Sequence, residues 1–138
     1  MEKVTLPAKL ENLDLMLEII LRNAESIGFA EKDKFQLKLA SEEILVNIIN
    51  YGYPGTSGAI ELLITPKPND GLEMVVMDWG IEFNPLSLPT PKVCGSFEDR
   101  KIGGLGVYLV RKVMDEVSYK REDGKNILTV VKKIKSKK

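Results

Sequence analysis

The spacing of hydrophobic residues along the 138-residue chain predicts eight helices and strands. Apolar residues three and four positions apart indicate helices, and short apolar or alternating runs between turn residues indicate strands. The predicted order is strand, helix, helix, hairpin, loop, helix, hairpin. The helices span residues 10–27, 30–50 and 103–115, and the strands span 3–6, 59–65, 72–78, 116–121 and 125–134.

This order predicts an α/β fold of the α+β kind, a two-layer sandwich with the helices on one face of a mixed, mostly antiparallel sheet. Asp123-Gly124 is a strong hairpin-turn signal. Residues 79–102 have no clear period and contain three prolines. A loop of this length is usually functional or mobile, and the alternative is a disordered insertion. We expect one domain over 1–138 with a frayed tail at 135–138.

The second half of the second helix is apolar on nearly every side except for one narrow polar strip. At about 100° per residue, Glu43, Asn47 and Asn50 fall within about 60° of one another. Burying a carboxylate and two amides costs several kcal/mol unless they are paired. Either the rest of the fold satisfies these groups, or a ligand does.

Composition narrows the classes of function. Lys+Arg and Asp+Glu number 20 each, whereas a nucleic-acid-binding protein usually has a basic surplus. No apolar run approaches the roughly 20 residues of a membrane span, and the N-terminus has no signal-peptide core. The single cysteine, Cys94, excludes an internal disulfide. We therefore expect a cytoplasmic protein that contacts neither nucleic acid nor membrane.

The chain contains no histidine. This excludes Ser-His-Asp and Cys-His nucleophile systems, the usual zinc sites and a phospho-accepting histidine. Any general base must therefore be a carboxylate or a lysine.

Three separate segments carry chemistry suited to a nucleotide. In the first, Glu43 and Asn47 lie one helical turn apart; the amide oxygen suits Mg²⁺, and the carboxylate can accept a proton. In the second, Asp78 ends a strand and can accept a hydrogen bond from the exocyclic amine of adenine. Gly80 beside it lets a ring approach the backbone. By itself, this second segment is more simply a strand-ending turn.

The third segment is glycine-rich and opens the last helix. Free amide groups and the dipole at a helix N-terminus attract phosphate, and glycines let the phosphate approach closely. Arg100 and Lys101 directly before the segment add positive charge. It is not a Walker loop, since GxxxxGK[ST] is missing. The segment consists of Gly103, Gly104, Leu105 and Gly106.

Together, these segments resemble the GHKL ATPase superfamily, which includes histidine kinases and gyrase-type enzymes, over nearly the whole chain. The matching stretches are SEEILVNIINYGYP, VVMDWGIEFNP, EDRKIGGLGVYLVRKVMDEVSY and GKNILTVVKK. Within this superfamily, the sequence is most similar to the small, stand-alone anti-sigma-factor serine kinases of bacteria. The resemblance implies the Bergerat ATP-binding fold, with ATP or ADP as the nucleotide and Mg²⁺ as the metal.

The resemblance also assigns roles to residues of the first two segments. It makes Glu43 the catalytic base and Asn47 the Mg²⁺ ligand. Asp78 becomes the adenine contact, and Gly80 becomes its neighbour in the pocket. Asn50, on the same helix as Asn47, is assigned to the nucleotide-binding residues.

The remaining implied roles lie in the second half of the chain. Residues 79–102 become the ATP lid, and Thr129 on the last strand becomes a second adenine-side contact. Arg100 or Lys101 meets the γ-phosphate, and the sequence leaves open which of the two does so. The glycine-rich segment completes the nucleotide-binding set, with Gly104 and Gly106 facing the phosphates.

The function implied by the resemblance is an ATP-dependent protein-serine kinase that doubles as an anti-sigma factor. It phosphorylates a STAS-domain anti-anti-sigma protein and sequesters a sigma factor. The chain departs from the family where Glu82 replaces the second glycine of D-x-G-x-G and where Tyr51 replaces a histidine common in relatives. Glu82 motivates an alternative, a nucleotide-gated regulatory binding module without kinase activity. A third hypothesis is an interaction domain whose polar strip is satisfied internally.

The resemblance further implies a homodimer. Leu45 and Ile49 lie near the polar Lys38 and Glu42, which predicts an exposed apolar patch on the outer face of the first helices. The alternative is that the same two residues pack on the first helix.

Overall fold

The computed structural model describes residues 1–84 and 104–134, which form three α-helices and five strands. Helices α1, α2 and α3 span Leu13–Ser26, Glu31–Asn47 and Gly104–Val113. Strands β1 to β5 span Glu2–Pro7, Ala59–Lys67, Gly71–Asp78, Glu116–Glu122 and Lys125–Lys133. A 3₁₀ turn, Leu10–Asn12, precedes α1, and a π-helical turn, Ile48–Gly52, follows α2.

The strands form one sheet in the order β1-β2-β3-β5-β4, and every neighbouring pair is antiparallel. The predicted tight turn joins β4 to β5. Asp123 and Gly124 take positive φ values of 54° and 78° there, as a two-residue hairpin turn requires. The two-layer α+β sandwich is confirmed, and the sheet, which the sequence predicted to be mixed, is antiparallel throughout.

The helices pack on one face of the sheet, and alternate strand residues point towards them. In β2 and β5, buried residues alternate with partly exposed ones, so each strand has a helix side and an open side. Completely buried aliphatic side chains from both layers meet in one core; they include Met16, Ile20, Leu37, Ile60, Leu62, Ile64 and Met74. Each such burial contributes about 1.5–3 kcal/mol, so this interface holds the two layers together.

The winding of the second helix changes within the stretch that carries the polar strip. The sequence predicted one regular helix to about residue 50, but α2 ends at Asn47. The π-helical turn that follows is wider than an α-helical turn and ends at Gly52. Such turns are rare and often occur at functional sites. The change in winding alters which side chains of this stretch point in the same direction.

The predicted apolar patch on the outer face of the first helices is wrong. Leu45 is completely buried in the core, and Ile49 is partly buried and packs against it. The physical reason is that α2 contacts both α1 and α3, so its apolar residues pack against neighbours on either side. The homodimer itself stays a prediction, and it has no surface assigned by these residues. Residues 85–102 of the predicted lid and the tail at 135–138 lie outside the described residues.

Candidate functional site

A cavity of about 210 Å³ lies between the helices and one end of the sheet. Its walls come from α2, the π-helical turn, the end of β3, α3, and the strands β4 and β5. A largely apolar wall with a few polar groups is typical of small-molecule sites. The apolar lining includes Ile44, Ile48, Phe83, Val110 and Leu128, and the polar lining residues include Asn47, Asp78, Arg111 and Asn126.

Asp78, the last residue of β3, is a buried carboxylate in this wall and is only 5% exposed. Its Oδ1 accepts a hydrogen bond from the backbone N–H of Gly80 at 2.9 Å. The same oxygen accepts a second bond from Nδ2 of Asn126 at 3.0 Å. Within residues 1–84 and 104–134, no donor reaches Oδ2. Since a carboxylate oxygen accepts hydrogen bonds, Oδ2 keeps the capacity to accept one from a ligand.

Asn126 connects this carboxylate to the chain that follows it. Its Nδ2 donates to Asp78 and, at 2.8 Å, to the carbonyl oxygen of Ile81. Its Oδ1 accepts from the backbone N–H of Phe83 at 3.3 Å and from the hydroxyl of Tyr119 at 2.5 Å. Both ends of the amide are therefore paired, as a buried polar side chain requires.

Residues 79–84, the start of the predicted lid, are tied to the body of the domain. The Tyr53 hydroxyl accepts the backbone N–H of Trp79 at 2.8 Å. The guanidinium of Arg121 donates to the carbonyl oxygen of Gly80 at 2.9 Å. With the bonds to Asn126, these contacts hold the backbone that leaves β3 in one path beside the cavity.

The backbone of Gly52 explains why a glycine stands at position 80. A Cβ atom at Gly80 would lie 2.1 Å from the carbonyl oxygen of Gly52 and 3.1 Å from Oδ1 of Asp78. The same Gly52 oxygen accepts the backbone N–H of Ile81 at 2.9 Å. From the sequence, Gly80 was expected to make room for a ligand ring. In the structure, Gly80 makes room for the π-helical turn.

Asn47 and Glu43 lie one turn apart on α2, as predicted, but only Asn47 lines the cavity. Glu43 is half-buried and lies outside the lining. Burial raises the pKa of the Glu43 carboxyl, and the negative charge of Glu42 raises it further. A carboxyl with a raised pKa is a better proton acceptor once it is ionised.

Two of the predicted site residues, Asn50 and Thr129, are placed away from the cavity. Asn50 is exposed, because the π-helical turn takes it out of the polar strip and brings Tyr51 to the cavity instead. Thr129 pairs with Val75 and Ser118 and lies on the open side of the sheet. The helix side of β5 carries Asn126 and the buried apolar residues that follow it at two-residue spacing, Leu128 and Val130.

The sequence contains a signal for Asn126 that was missed. Asn126 is an amide on the apolar side of an alternating strand, at the position where a buried aliphatic residue is otherwise expected. Arg111 was missed too; it lies in the last turn of α3 and lines the cavity. No feature of the sequence distinguished it from other basic residues on helices.

The glycine-rich segment is described only in part. Gly104, Leu105 and Gly106 form the first turn of α3. The other predicted phosphate-side residues, Arg100, Lys101 and Gly103, lie outside the described residues, as does Cys94.

Neither a metal-binding cluster nor a membrane span occurs in the described part of the chain. No group of three or more acidic or cysteine side chains in these ranges is placed to hold a metal ion. None of the helices found there is both long and apolar enough to cross a membrane.

Comparison with known proteins identifies the family of this chain. The family described as the histidine kinase-like ATPase domain matches residues 6–132. The chain belongs to this family. The serine/threonine-protein kinase BtrW of Bordetella bronchiseptica is 33% identical over 98 residues, which cover 70% of this chain and 68% of that protein. The serine-protein kinase RsbW of Bacillus mycoides is 30% identical over 132 residues, which cover 91% and 81%.

A solved structure shows the same fold. The mycobacterial sensor histidine kinase MprB superposes with a TM-score of 0.53 over 96% of this chain and 97% of that chain, at 22% identity. This likeness concerns the fold alone. The resemblance to the GHKL ATPases, and among them to the stand-alone serine kinases, is confirmed by these matches.

Proposed function

We propose that this member of the histidine kinase-like ATPase family is an ATP-dependent protein-serine kinase that also acts as an anti-sigma factor. Its substrate is a serine of a STAS-domain anti-anti-sigma protein, and its other partner is a sigma factor. The observation that carries the proposal is one cavity that contains both the buried carboxylate of Asp78 and the amide of Asn47.

The end of the cavity at Asp78 suits an adenine base. Oδ1 of Asp78 is occupied by two donors, which leaves Oδ2 as an acceptor for an exocyclic amine. The lining is mostly apolar, as a flat aromatic base requires. Its volume of about 210 Å³ is below the roughly 300–1,000 Å³ of typical small-molecule pockets, so the described cavity suits one end of a nucleotide.

The end of the cavity at α2 suits a metal ion that is held mainly by phosphates. Mg²⁺ prefers oxygen ligands and is commonly held by one or two protein groups together with phosphates and water. The amide oxygen of Asn47 is such a ligand, and a site of this kind requires no acidic cluster. When bound, the ion would neutralise charge on the transferring phosphoryl group.

In this proposal Glu43, one helical turn from Asn47, is the base. In the proposed transfer, the serine Oγ bonds to the terminal phosphorus of ATP, and the bond from that phosphorus to the ADP oxygen breaks. The serine proton passes to Glu43. The raised pKa of Glu43 supports this role, because proton acceptance is most effective when the pKa approaches the working pH.

Glu82, which motivated the alternative of a binding module without kinase activity, does not obstruct the described cavity. Its side chain is exposed and does not belong to the lining. The relatives named above are both protein kinases by name, which favours turnover over binding alone. The homodimer implied by the resemblance remains part of the proposal.

Thermal unfolding with Mg-ADP tests the binding step. Ligand at about 100 times its dissociation constant stabilises by roughly 2.7 kcal/mol, which raises the unfolding midpoint by several degrees. Wild type should show this shift, and Asn47→Ala should show much less of it. The second step is incubation with Mg-ATP and a STAS-domain protein, followed by mass spectrometry of the latter.

Each outcome decides between the hypotheses. Phosphoserine that depends on Glu43 supports the kinase. A nucleotide shift without phosphoserine favours the nucleotide-gated module. No shift with ADP or ATP would reject both, and the polar residues of the cavity would then be structural.

A further inference from the structure

The hydrogen bonds around Asn126 define which way its amide points. The backbone N–H of Phe83 can only donate, and the carbonyl of Ile81 can only accept. Oδ1 of Asn126 must therefore lie on the Phe83 side, and Nδ2 must lie on the side of Ile81 and Asp78. This assignment depends on backbone groups alone and leaves no ambiguity between the two ends of the amide.

Tyr119 provides the shorter of the two bonds that hold the Oδ1 end. Its hydroxyl lies 2.5 Å from Oδ1, whereas the N–H of Phe83 lies 3.3 Å away, beyond the usual range for such a bond. Tyr119 comes from β4, opposite Leu128 of β5, and it does not line the cavity. Burial raises the pKa of Tyr119, as does the nearby charge of Glu82, so the hydroxyl keeps its proton.

The oriented amide has a consequence for Asp78. Because Nδ2 of Asn126 and the N–H of Gly80 both bond Oδ1, the carboxylate cannot rotate without losing two hydrogen bonds. Its second oxygen is then presented as an acceptor with no donor beside it among the described residues. Adenine carries an amine at the position where guanine carries a carbonyl oxygen. An acceptor fixed at this point attracts the first base and repels the second.

We infer that Tyr119 and Asn126 are positioning residues that set the preference of the cavity for adenine over guanine nucleotides. Hydrogen bonds connect Tyr119 to Asn126 and Asn126 to Asp78. Tyr119 therefore affects base preference through the Asp78 carboxylate and not through a contact with the base. This inference rests on the proposed function, because it assumes that the cavity binds a nucleotide base. Without the Tyr119 bond, only the longer bond from Phe83 holds the Oδ1 end, so the amide holds the Asp78 carboxylate less firmly and the cavity discriminates less between the two bases.

Tyr119→Phe tests the inference, and Tyr53→Phe is its matched control. Both substitutions remove one phenolic hydroxyl that supports the chain after β3. The Tyr53 hydroxyl holds the N–H of Trp79 and makes no contact with Asn126. Affinities for Mg-ADP and Mg-GDP are measured by calorimetry for wild type and both variants, with thermal unfolding as a check of folding.

In Tyr119→Phe, the ratio of ADP to GDP affinity should fall by about fivefold to tenfold, the usual net effect of one hydrogen bond. In Tyr53→Phe, the ratio should stay within about twofold of wild type, even though this variant loses thermal stability. Asn126→Thr has no amide to accept the Tyr119 hydroxyl. In the double variant Asn126→Thr/Tyr119→Phe, the ratio of ADP to GDP affinity should therefore equal that of Asn126→Thr alone.

A ligand-free measurement provides an independent readout. The side-chain amide protons of Asn126, identified in an NMR spectrum by their loss in Asn126→Thr, should exchange slowly in wild type and in Tyr53→Phe. They should exchange faster by at least about tenfold in Tyr119→Phe, because the Oδ1 end is then held by the Phe83 bond alone and Nδ2 leaves Asp78 and Ile81 more often.

The outcomes separate the two levels of the proposal. If wild type prefers ADP and Tyr119→Phe keeps the same ratio, the positioning role is overturned while the nucleotide site stands. If wild type binds neither nucleotide, the proposed function fails and the inference fails with it. Equal falls of the ratio in Tyr53→Phe and Tyr119→Phe would show general loosening of the segment and would also overturn the specific role.

Discussion

Replacing Gly80 with alanine tests whether close packing against the π-helical turn holds the chain after β3 in place. The added Cβ would lie 2.1 Å from the carbonyl oxygen and 2.7 Å from the carbonyl carbon of Gly52. Comfortable contacts between heavy atoms of this kind are about 3.5 Å, so one backbone must move by more than about 1 Å. Gly80 is absent from the glycines with positive φ, so alanine meets only the steric obstacle.

The cost of this movement can be worked from two contributions. Overpacking a tight site costs about 1–3 kcal/mol. The movement also breaks the Ile81–Gly52 hydrogen bond, which is 2.9 Å long, at about 0.5–1.5 kcal/mol. The free energy of unfolding should therefore fall by about 2–4 kcal/mol. For 138 residues, this lowers the unfolding midpoint by about 7–14 °C.

Two assays measure the effect, and Gly55→Ala provides the control. Gly55 has a φ of +69°, and no atom lies within 4 Å of the place that an added Cβ would take, so alanine there costs only backbone strain, about 1–2 kcal/mol. Thermal unfolding should show the larger loss in Gly80→Ala. Calorimetry should show that only Gly80→Ala weakens Mg-ADP binding, because the shifted segment carries the N–H that bonds Asp78. A Gly80→Ala protein that melts within about 2 °C of wild type and binds ADP normally would refute this reasoning.

Four further predictions concern Glu43, Asn47 and Lys132. Glu43→Gln should abolish phosphoserine formation and leave ADP affinity within about twofold, as measured by mass spectrometry and calorimetry. The same variant should gain stability over wild type as the pH rises from 4 to 7 in urea titrations. The reason is that Glu43 has a higher pKa in the folded protein than in the unfolded chain. Its contribution to the free energy of unfolding is therefore complete below the unfolded pKa of about 4.3, and wild type loses it as the pH rises past the folded pKa. Asn47→Ala should keep ADP binding without Mg²⁺ but lose the additional stabilisation that Mg²⁺ brings, as read from unfolding midpoints with and without the metal. Lys132→Ala should lower the free energy of unfolding by about 2–4 kcal/mol. The reason is that the buried ammonium bonds Gln36 at 2.8 Å and the Val113 carbonyl at 2.9 Å. Lys132→Met should lose less stability, because methionine keeps the apolar stem of the side chain.

The elements were predictable because their hydrophobic periods and turn residues agree. The Asp123-Gly124 turn joins two alternating runs, and the structure has the tight turn and both strands there. The helix ends were predictable only where a glycine stops the helix. The π-helical turn carries no such signal, because Ile48 and Ile49 fit an α-helix equally well. The turn bonds the chain after β3 through the Gly52 carbonyl oxygen, a long-range contact that the local sequence does not reveal.

The site residues that the sequence located correctly are those on elements that it also predicted well. Asn47 and Asp78 stand on a helix and at a strand end that the sequence defines well, and the structure brings both to the cavity. The structure places Asn50 away from the cavity, because its direction depends on the winding of the turn. Arg111 was missed because a position on a helix does not by itself tell which basic residue lines a cavity formed by several other elements.

The position of Thr129 on the open side of the sheet shows how β5 determines the polar group beside Asp78. Residues of β5 alternate between the cavity side and the open side, and Asn126, which pairs with Asp78, lies on the cavity side, whereas Thr129 lies on the open side. The Asp123-Gly124 turn sets that parity, since it begins β5 at Lys125 and pairs Asn126 with Arg121. A shift of β5 by one residue against β3 would set Lys125 or Ile127 opposite Asp78 and would send Asn126 to the open side. The hairpin turn, which does not line the cavity, therefore helps to determine which side chain bonds the Asp78 carboxylate.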